Sequence, residues 1–387
     1  MSTIDTVGPQ SHELRADLRK WLPPHRRERL RDWMRQHDVD CFVGVGPAHV
    51  NYLAAYSRYY GGPAAVILGQ DGRIGLHVMR DEVPIAQELS EANVVEGYGE
   101  RGFGINLNPY PILLDAVLKD RSISTADRIG LADESGYAGA ALADGAEIVA
   151  ADSLLTALRL VKDEDELVKI LHAYQLCWTA QRAVAERTEA GDSQIEIFSA
   201  AQRAAQVEHG GPIEFLADLL SGTDTAKVCC PIHVAGRNRV ADGEAVVADI
   251  VIGGDGYWGD NAETHFRGHN EWLGQTRSQL LEILRESAEQ LRPGNTGAAV
   301  FGAIADRIAS EFADGEFPHH GGHAVGLTSF EDPHVIPTDD KPFESGMVIA
   351  LEPGVYFPSR GGARVENLFL VTPDGGVELR AAFGQPH

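Results

Sequence analysis

The stretch from Glu244 to Phe266, EAVVADIVIGGDGYWGDNAETHF, constrains the chain more than any other. Glu244 to Ile252 has the length and the Val/Ile content of a buried strand. Gly253-Gly254-Asp255-Gly256 is turn chemistry, and the residues from Tyr257 onward can pair back as a hairpin. An ionised side chain is costly inside such a strand, yet Asp249 lies in its apolar centre. Asp249 and Asp260 are placed symmetrically about the turn. In an unbulged hairpin they are expected to be opposite each other on one face, with Cβ atoms roughly 4.5–5.5 Å apart. Two readings are open on this stretch alone. A divalent cation between the carboxylates offsets their burial and repulsion, or Asp260 is a solvated hairpin-end residue and only Asp249 is buried.

The same arrangement recurs near the C-terminus. Glu352 interrupts the apolar run MVIALEPGVY, Glu366 interrupts ARVENLFLV, and Phe357-Pro358-Ser359-Arg360-Gly361-Gly362 supplies a turn between them. A second pair of carboxylates on adjoining strands, able to face each other, shifts the balance towards metal. Two Asp, two Glu and a nearby His form an oxygen-rich donor set. Such a set suits manganese, iron, cobalt or zinc rather than a thiolate-bound ion. Four carboxylates balance two divalent cations. The histidines at hand lie in PHHGGHAVGLTSFEDP, which holds His319, His320 and His323.

Around this core the chain reads as two domains, as its length of 387 residues suggests. Helix and strand alternate to about Leu160, with a strand at Cys41–Val45 and a hairpin in PAAVILGQDGRIGLHV, so residues 1–160 are expected to form an α/β domain. LRLVKDEDELVKILHAYQLCWTAQRAVAERT reads as one long amphipathic helix opening a second domain over 161–387. A further helix in EWLGQTRSQLLEILRESAEQL stops at Arg292-Pro293-Gly294. The net charge of −24 disfavours nucleic acid and anionic membrane as partners. No apolar run approaches the ~20 residues that span a bilayer, and the N-terminus is a polar lead-in, so the expected location is cytoplasmic. Cys41, Cys177, Cys229 and Cys230 form no CxxC and are read as reduced and structural.

Taken together, these residues resemble the pita-bread metallopeptidase family, in its creatinase, Xaa-Pro aminopeptidase and prolidase branch. The ligand motifs of that family correspond in order to Asp249, Asp260 eleven positions on, His323 in HAVGL, Glu352 in LEPGVY and Glu366 in RVE. RxxLRDWMRQHDVDCFVG followed by NYLAAY is similar to the branch's N-terminal domain. The resemblance implies an α+β protein with a C-terminal pita-bread catalytic fold and an N-terminal α/β creatinase-type domain. It implies two divalent ions, manganese first, with cobalt, zinc or iron as alternatives. The implied reaction is hydrolysis of a peptide or amide bond in a short peptide or small molecule by a metal-bridging hydroxide. Glu352 would relay the proton, His233 and His319 would steady the substrate, and Arg364 would support the ligands. A homodimer is also implied, with Tyr56-Ser57-Arg58-Tyr59-Tyr60 a candidate contact.

Two positions depart from the pattern. Phe330, seven after His323, stands where peptide-cleaving members carry a histidine, and Glu263 replaces an arginine. Phenylalanine neither donates a hydrogen bond nor moves a proton. Phe330 is therefore expected to line the substrate pocket with His334, either as plain packing or to admit a less polar substrate. His334 and His265 are candidates to replace the missing imidazole. The alternative function is a non-peptide hydrolase or lyase on the same metals. A metal-free creatinase-like enzyme or a non-enzymatic interaction module ranks below both, because all five ligand positions are filled.

Overall fold

The computed structural model describes residues 26–57, 61–100, 108–142, 145–227 and 235–384. They fall into two compact units, one running to Arg159 and the other starting at Leu160.

The first unit contains α1 (Arg26–Gln36), β1 (Cys41–Val45), α2 (Pro47–Ala54), β2 (Ala65–Gly69), β3 (Ile74–Met79), α3 (Val83–Leu89), β4 (Val94–Tyr98), α4 (Tyr110–Leu118), α5 (Arg121–Ser124), β5 (Arg128–Asp133), α6 (Ala138–Leu142) and β6 (Glu147–Ala150). The strands form one mixed sheet in the order β4-β3-β2-β1-β5-β6. The expected hairpin is β2–β3, with Gly72 at φ 83 in its turn. β1 and β2 are apolar almost throughout because helices cover the sheet; Val43, Ile67 and Leu131 pack with Leu113 and Val117 of α4. Tyr56 does not fit the expected dimer contact. It is buried in its own unit, and its hydroxyl donates to Glu82 at 3.0 Å. Arg58, Tyr59 and Tyr60 lie outside the described residues.

In the region read as one long helix there are two. α7 (Asp152–Leu160) ends, and α8 (Glu164–Ala190) begins afresh. The run DEDE carries its own start signal: Asp163 accepts from the Glu166 amide while Glu166 accepts from the Asp163 amide, a reciprocal capping box. Lys162, between the helices, turns inward and its Nζ meets Glu331 Oε2 at 2.7 Å, both side chains buried.

α8 and α9 (Gln194–His209) pack on a sheet of β7 (Glu214–Ser221), β8 (Ala245–Gly254) and β9 (Tyr257–Phe266). Leu176, Cys177, Ala180 and Val184 of α8 meet Ile250 and Ile252 of β8. Gln181 adds hydrogen bonds from Nε2 to the carbonyls of Ala248 at 2.9 Å and Asn261 at 3.1 Å. The hairpin register corrects the expected pairing of the two aspartates. Gly254 pairs with Tyr257, so the turn has two central residues, Asp255 at φ 52 and Gly256 at φ 78. Both in the left-handed region, they match the primed turn that suits strand twist. Asp249 is therefore opposite Ala262 and Asp260 opposite Val251. The aspartates are diagonal neighbours on one face, not a direct pair.

Next come α10 (Glu271–Ala288), α11 (Gly297–Glu311), β10 (Gly322–Ala324), β11 (Glu331–Val335), β12 (Val348–Leu351), β13 (Gly354–Phe357), β14 (Gly361–Arg364), β15 (Asn367–Thr372), β16 (Gly375–Glu378) and α12 (Leu379–Ala382). The five-stranded sheet runs β11-β10-β12-β15-β16, and β13–β14 is a separate hairpin. α10 and α11 cover it through Leu280, Ile283, Val300 and Ile304 against Ile349 and Leu351. MVIALEPGVY and ARVENLFLV, each read as one strand, are each broken, and Glu352 and Glu366 stand in the breaks. The register is the same on both sides, Leu351 opposite Asn367 and Gly354 opposite Arg364. Glu352 is thus level with Glu366, as the sequence suggests.

Gly259 sets how closely α8 approaches the hairpin beside Asp260. A Cβ there would lie 2.4 Å from the Tyr174 backbone nitrogen, an overlap with helix backbone that no side-chain rotation relieves. Gly259→Ala should lower stability by on the order of 3 kcal/mol in urea unfolding, and an unchanged midpoint would contradict this packing.

Candidate metal centre

The five residues named as ligands converge. One donor atom each from Asp260, His323 and Glu366 lies within 4.8 Å of the others, and the same holds for Asp249, Glu352 and Glu366. Glu366 belongs to both sets. His323 Nε2 is 3.6 Å from Asp260 Oδ2 and 3.8 Å from Glu352 Oε1. The other ring nitrogen, Nδ1, is 3.0 Å from the Ala324 carbonyl. A proton donated there leaves Nε2 with its lone pair towards the carboxylates.

Two sheets are joined to bring this about. The Glu366 amide donates to the Ala262 carbonyl at 2.8 Å, and Asn261 Nδ2 donates to the Glu366 carbonyl at 2.6 Å. Thr264 Oγ1 exchanges hydrogen bonds with the Arg364 backbone, donating at 2.9 Å and accepting at 3.0 Å. β9 is thereby fastened to the break between β14 and β15, so the face carrying Asp249 and Asp260 looks onto Glu366.

Protein groups compensate some of these charges and leave others. Arg364 donates from Nη1 to Asp249 and from Nε to the Tyr356 hydroxyl at 2.8 Å. Its Nη1 is also 3.9 Å from Asp218 Oδ2, a buried aspartate directly opposite Asp249 in the β7–β8 ladder. Asp260 Oδ1 and Glu366 Oε1, by contrast, are buried with no hydrogen-bond partner. Burial pushes the pKa of both carboxyls well up. The negative neighbours add to this, chiefly Asp249 for Asp260 and Asp260 for Glu366. Asp249 is raised by burial too, with Arg364 opposing. Glu352 goes the other way: burial raises it, but the contact and charge of His320 outweigh this and hold it at about 2. Burial brings His323 down to about 4, a neutral imidazole at neutral pH.

Divalent ions fit this donor set. Two carboxylate oxygens buried without partners are costly unless a cation meets them, and four carboxylates with one neutral imidazole offer three donors to each of two ions.

Around the cluster the histidines divide. His319 has both ring nitrogens engaged, Nδ1 2.7 Å from the His320 carbonyl and Nε2 2.9 Å from the Tyr356 hydroxyl. In this arrangement it holds Tyr356, and its Nδ1 is also 3.7 Å from Glu352 Oε2. His320, unassigned from sequence, places Nδ1 2.9 Å from Glu352 Oε1 and keeps a third of its side chain exposed. Phe330 is 53% exposed, stacks on His323 with centroids 4.1 Å apart, and meets His320 edge-on at 5.8 Å. His334 pairs opposite His323 in the β10–β11 ladder, but its Nδ1 lies 3.2 Å from Asp332 Oδ1, outside both donor sets. His265 does not replace the missing imidazole; it is held by Gln181 at 2.8 Å, on the face of β9 opposite Asp260. Glu263 shares that far face and pairs with Arg277 of α10 at 3.1 Å, so it does not alter the surroundings of the ligands directly. His233 lies outside the described residues. Sequence reasoning missed Asp218 and Tyr356, and gave His320 no role beyond a structural hydrogen bond. Asp218 carried the same signal as Asp249, an acid inside the apolar strand EFLADLLS.

The sequence profile of Metallopeptidase family M24 matches residues 168–373, and that of the Creatinase/Prolidase N-terminal domain matches residues 26–161. The probable dipeptidase PepE of Mycobacterium tuberculosis is 31% identical over 233 residues, a match covering 60% of this chain and 61% of that protein. The Xaa-Pro dipeptidase of Pyrococcus horikoshii is 27% identical over 91% of this chain and 95% of its own. Among solved structures, the prolidase of Pyrococcus horikoshii superposes with a TM-score of 0.75 at 23% identity, covering 92% of this chain and 97% of that one. Dipeptidase PepE of Mycobacterium ulcerans gives a TM-score of 0.69 at 25% identity, covering 92% and 94%. The α+β architecture is the pita-bread fold preceded by a creatinase-type N-terminal domain, and the chain belongs to metallopeptidase family M24.

Proposed function

We propose that this chain is a dinuclear metal-dependent dipeptidase that cleaves short peptides of the Xaa-Pro type. One observation carries the reading: two three-donor sets share Glu366 at a buried place where Asp260 and Glu366 keep oxygens without protein partners. Asp249, Asp260, His323, Glu352 and Glu366 would hold two divalent ions, manganese before cobalt, zinc or iron. Bound there, the ions would make water acidic enough to attack at neutral pH and would polarise the scissile carbonyl.

The protein's own groups supply the rest. Glu352, ionised at neutral pH, stands ready to accept the proton of the attacking water, with His320 beside it. Arg364 fixes Asp249 against rotation and is itself held by Tyr356. His319 anchors the Tyr356 hydroxyl. The exposed ring of Phe330 on His323 forms an apolar wall for the substrate. The substrate class is that in the name of the Pyrococcus relative, an Xaa-Pro dipeptidase. A homodimer, as the resemblance implies, in the cytoplasm completes the reading.

Phe330 favours a second reading on the same metals, in which the substrate is a less polar amide or small metabolite. An enzyme loaded with manganese should release proline from Xaa-Pro dipeptides, and Asp260→Asn should reduce kcat/KM by at least a hundredfold. Inactivity on a broad dipeptide panel, with turnover of small amides, would replace the first reading by the second.

Metal removal gives a separate test. Asp260 and Glu366 have folded-state pKa values raised above their ordinary 3.8 and 4.5. Their protonated forms are therefore favoured by folding, and that contribution is lost as pH rises through the raised values. Chelated wild type should fall progressively below Asp260→Asn/Glu366→Gln in Tm as pH is raised above about 4.5. Excess manganese should restore only the wild type. A gap independent of pH, or no response to manganese, would contradict the charge account.

A further inference from the structure

A second group of donor side chains meets at the tip of the β8–β9 hairpin. His172 projects from α8, His209 is the last residue of α9, and Asp255 is the first central residue of the turn. His172 Nε2 lies 3.2 Å from His209 Nδ1, and His209 Nε2 lies 4.0 Å from Asp255 Oδ1. One donor atom from each of the three is within 4.8 Å of the other two. The side chain of His209 is 6% exposed and that of Asp255 is 36% exposed, so the group is seated in the protein and open on one side.

We propose that His172, His209 and Asp255 form a separate site for a zinc-type transition-metal ion, clipping the hairpin tip to α8 and α9. Nitrogen donors on one tetrahedral zinc, each about 2.0–2.1 Å from the ion, lie about 3.3 Å apart. His172 Nε2 and His209 Nδ1 already have that separation, and the Asp255 carboxylate, 4.0 Å from the other nitrogen of His209, would rotate to reach the same ion. Two imidazoles with one carboxylate, and a fourth position left to water, are a zinc-like set, whereas the four carboxylates of the central cluster suit harder ions better. Without an ion, an N–H of one ring bridges the short nitrogen–nitrogen contact. Binding moves that proton to the other nitrogen of the same ring, which stays a neutral imidazole, and puts the cation between the same two atoms. Burial and the neighbouring His209 lower the pKa of His172, which leaves its imidazole neutral at pH 7.

The turn itself does not require the carboxylate. Asp255 sits at φ 52, followed by Gly256 at φ 78, and asparagine serves this primed turn as well as aspartate does. Asp255→Asn therefore removes a donor charge and keeps the backbone. The site owes nothing to the reading of the central cluster, and its test runs with that cluster disabled.

The experiment is equilibrium dialysis of the full chain against zinc, with bound metal counted by mass spectrometry. In an Asp260→Asn/Glu366→Gln background, the chain should retain one equivalent of zinc that His172→Ala/His209→Ala abolishes. Asp255→Asn alone should weaken that equivalent tenfold or more, which keeps the test informative if the double histidine variant fails to fold. Manganese binding at the central cluster should be unaffected by Asp255→Asn. Equal zinc content with and without the histidine pair, or unchanged zinc affinity in Asp255→Asn, would overturn the proposal.

Discussion

Four carboxylates gathered into one small buried volume repel one another, and among the described residues one guanidinium is hydrogen-bonded to the group. This imbalance organises the C-terminal unit. Arg364 answers Asp249, and His320 leans on Glu352. Asp260 and Glu366 are left with buried oxygens that no protein donor meets. Opposite shifts in acidity follow, with Glu352 held low and Asp260 and Glu366 driven high. A folded chain tolerates such an arrangement when a cation completes it, and Glu366 belongs to both donor sets.

The scaffold is arranged to keep these charges from escaping. α8 lies so close to β9 that Gly259 has no room for a side chain, and Gln181 ties the helix to both strands of the hairpin. Asn261 and Thr264 then fasten β9 to the break that carries Glu366. Each carboxylate sits where the ladder is interrupted or where the strand face is turned inward, so repulsion cannot be relieved by a rotation of the backbone alone. Phe330 adds an apolar cover on His323 and keeps about half of its own surface exposed.

The acids that converge were legible in the sequence because acids inside apolar strands are rare enough to need a reason. Asp249, Glu352 and Glu366 each interrupted such a run. Their exact placement was less legible, for local reasons. A left-handed Asp255-Gly256 pair makes a two-residue turn, which slides Asp260 from direct opposition to the diagonal. Glu352-Pro353 and Val365-Glu366 break strands that composition alone shows as continuous. The capping box at Asp163 restarts a helix within a run of uniform periodicity. His319 matched a substrate-side pattern, but its two ring nitrogens are taken by the His320 carbonyl and Tyr356, a tertiary fact that no spacing reveals. The place of His320 beside Glu352 was readable only after its neighbours in space were known.

The central claim is that the shared carboxylate Glu366 stands between two cations. Anomalous diffraction from crystals grown with manganese measures this directly. The account predicts two peaks about 3.5–4 Å apart, one beside Asp260 and His323 and the other beside Asp249 and Glu352, with Glu366 touching both. A single peak that Glu366 does not touch, or none within reach of these five side chains, would contradict it.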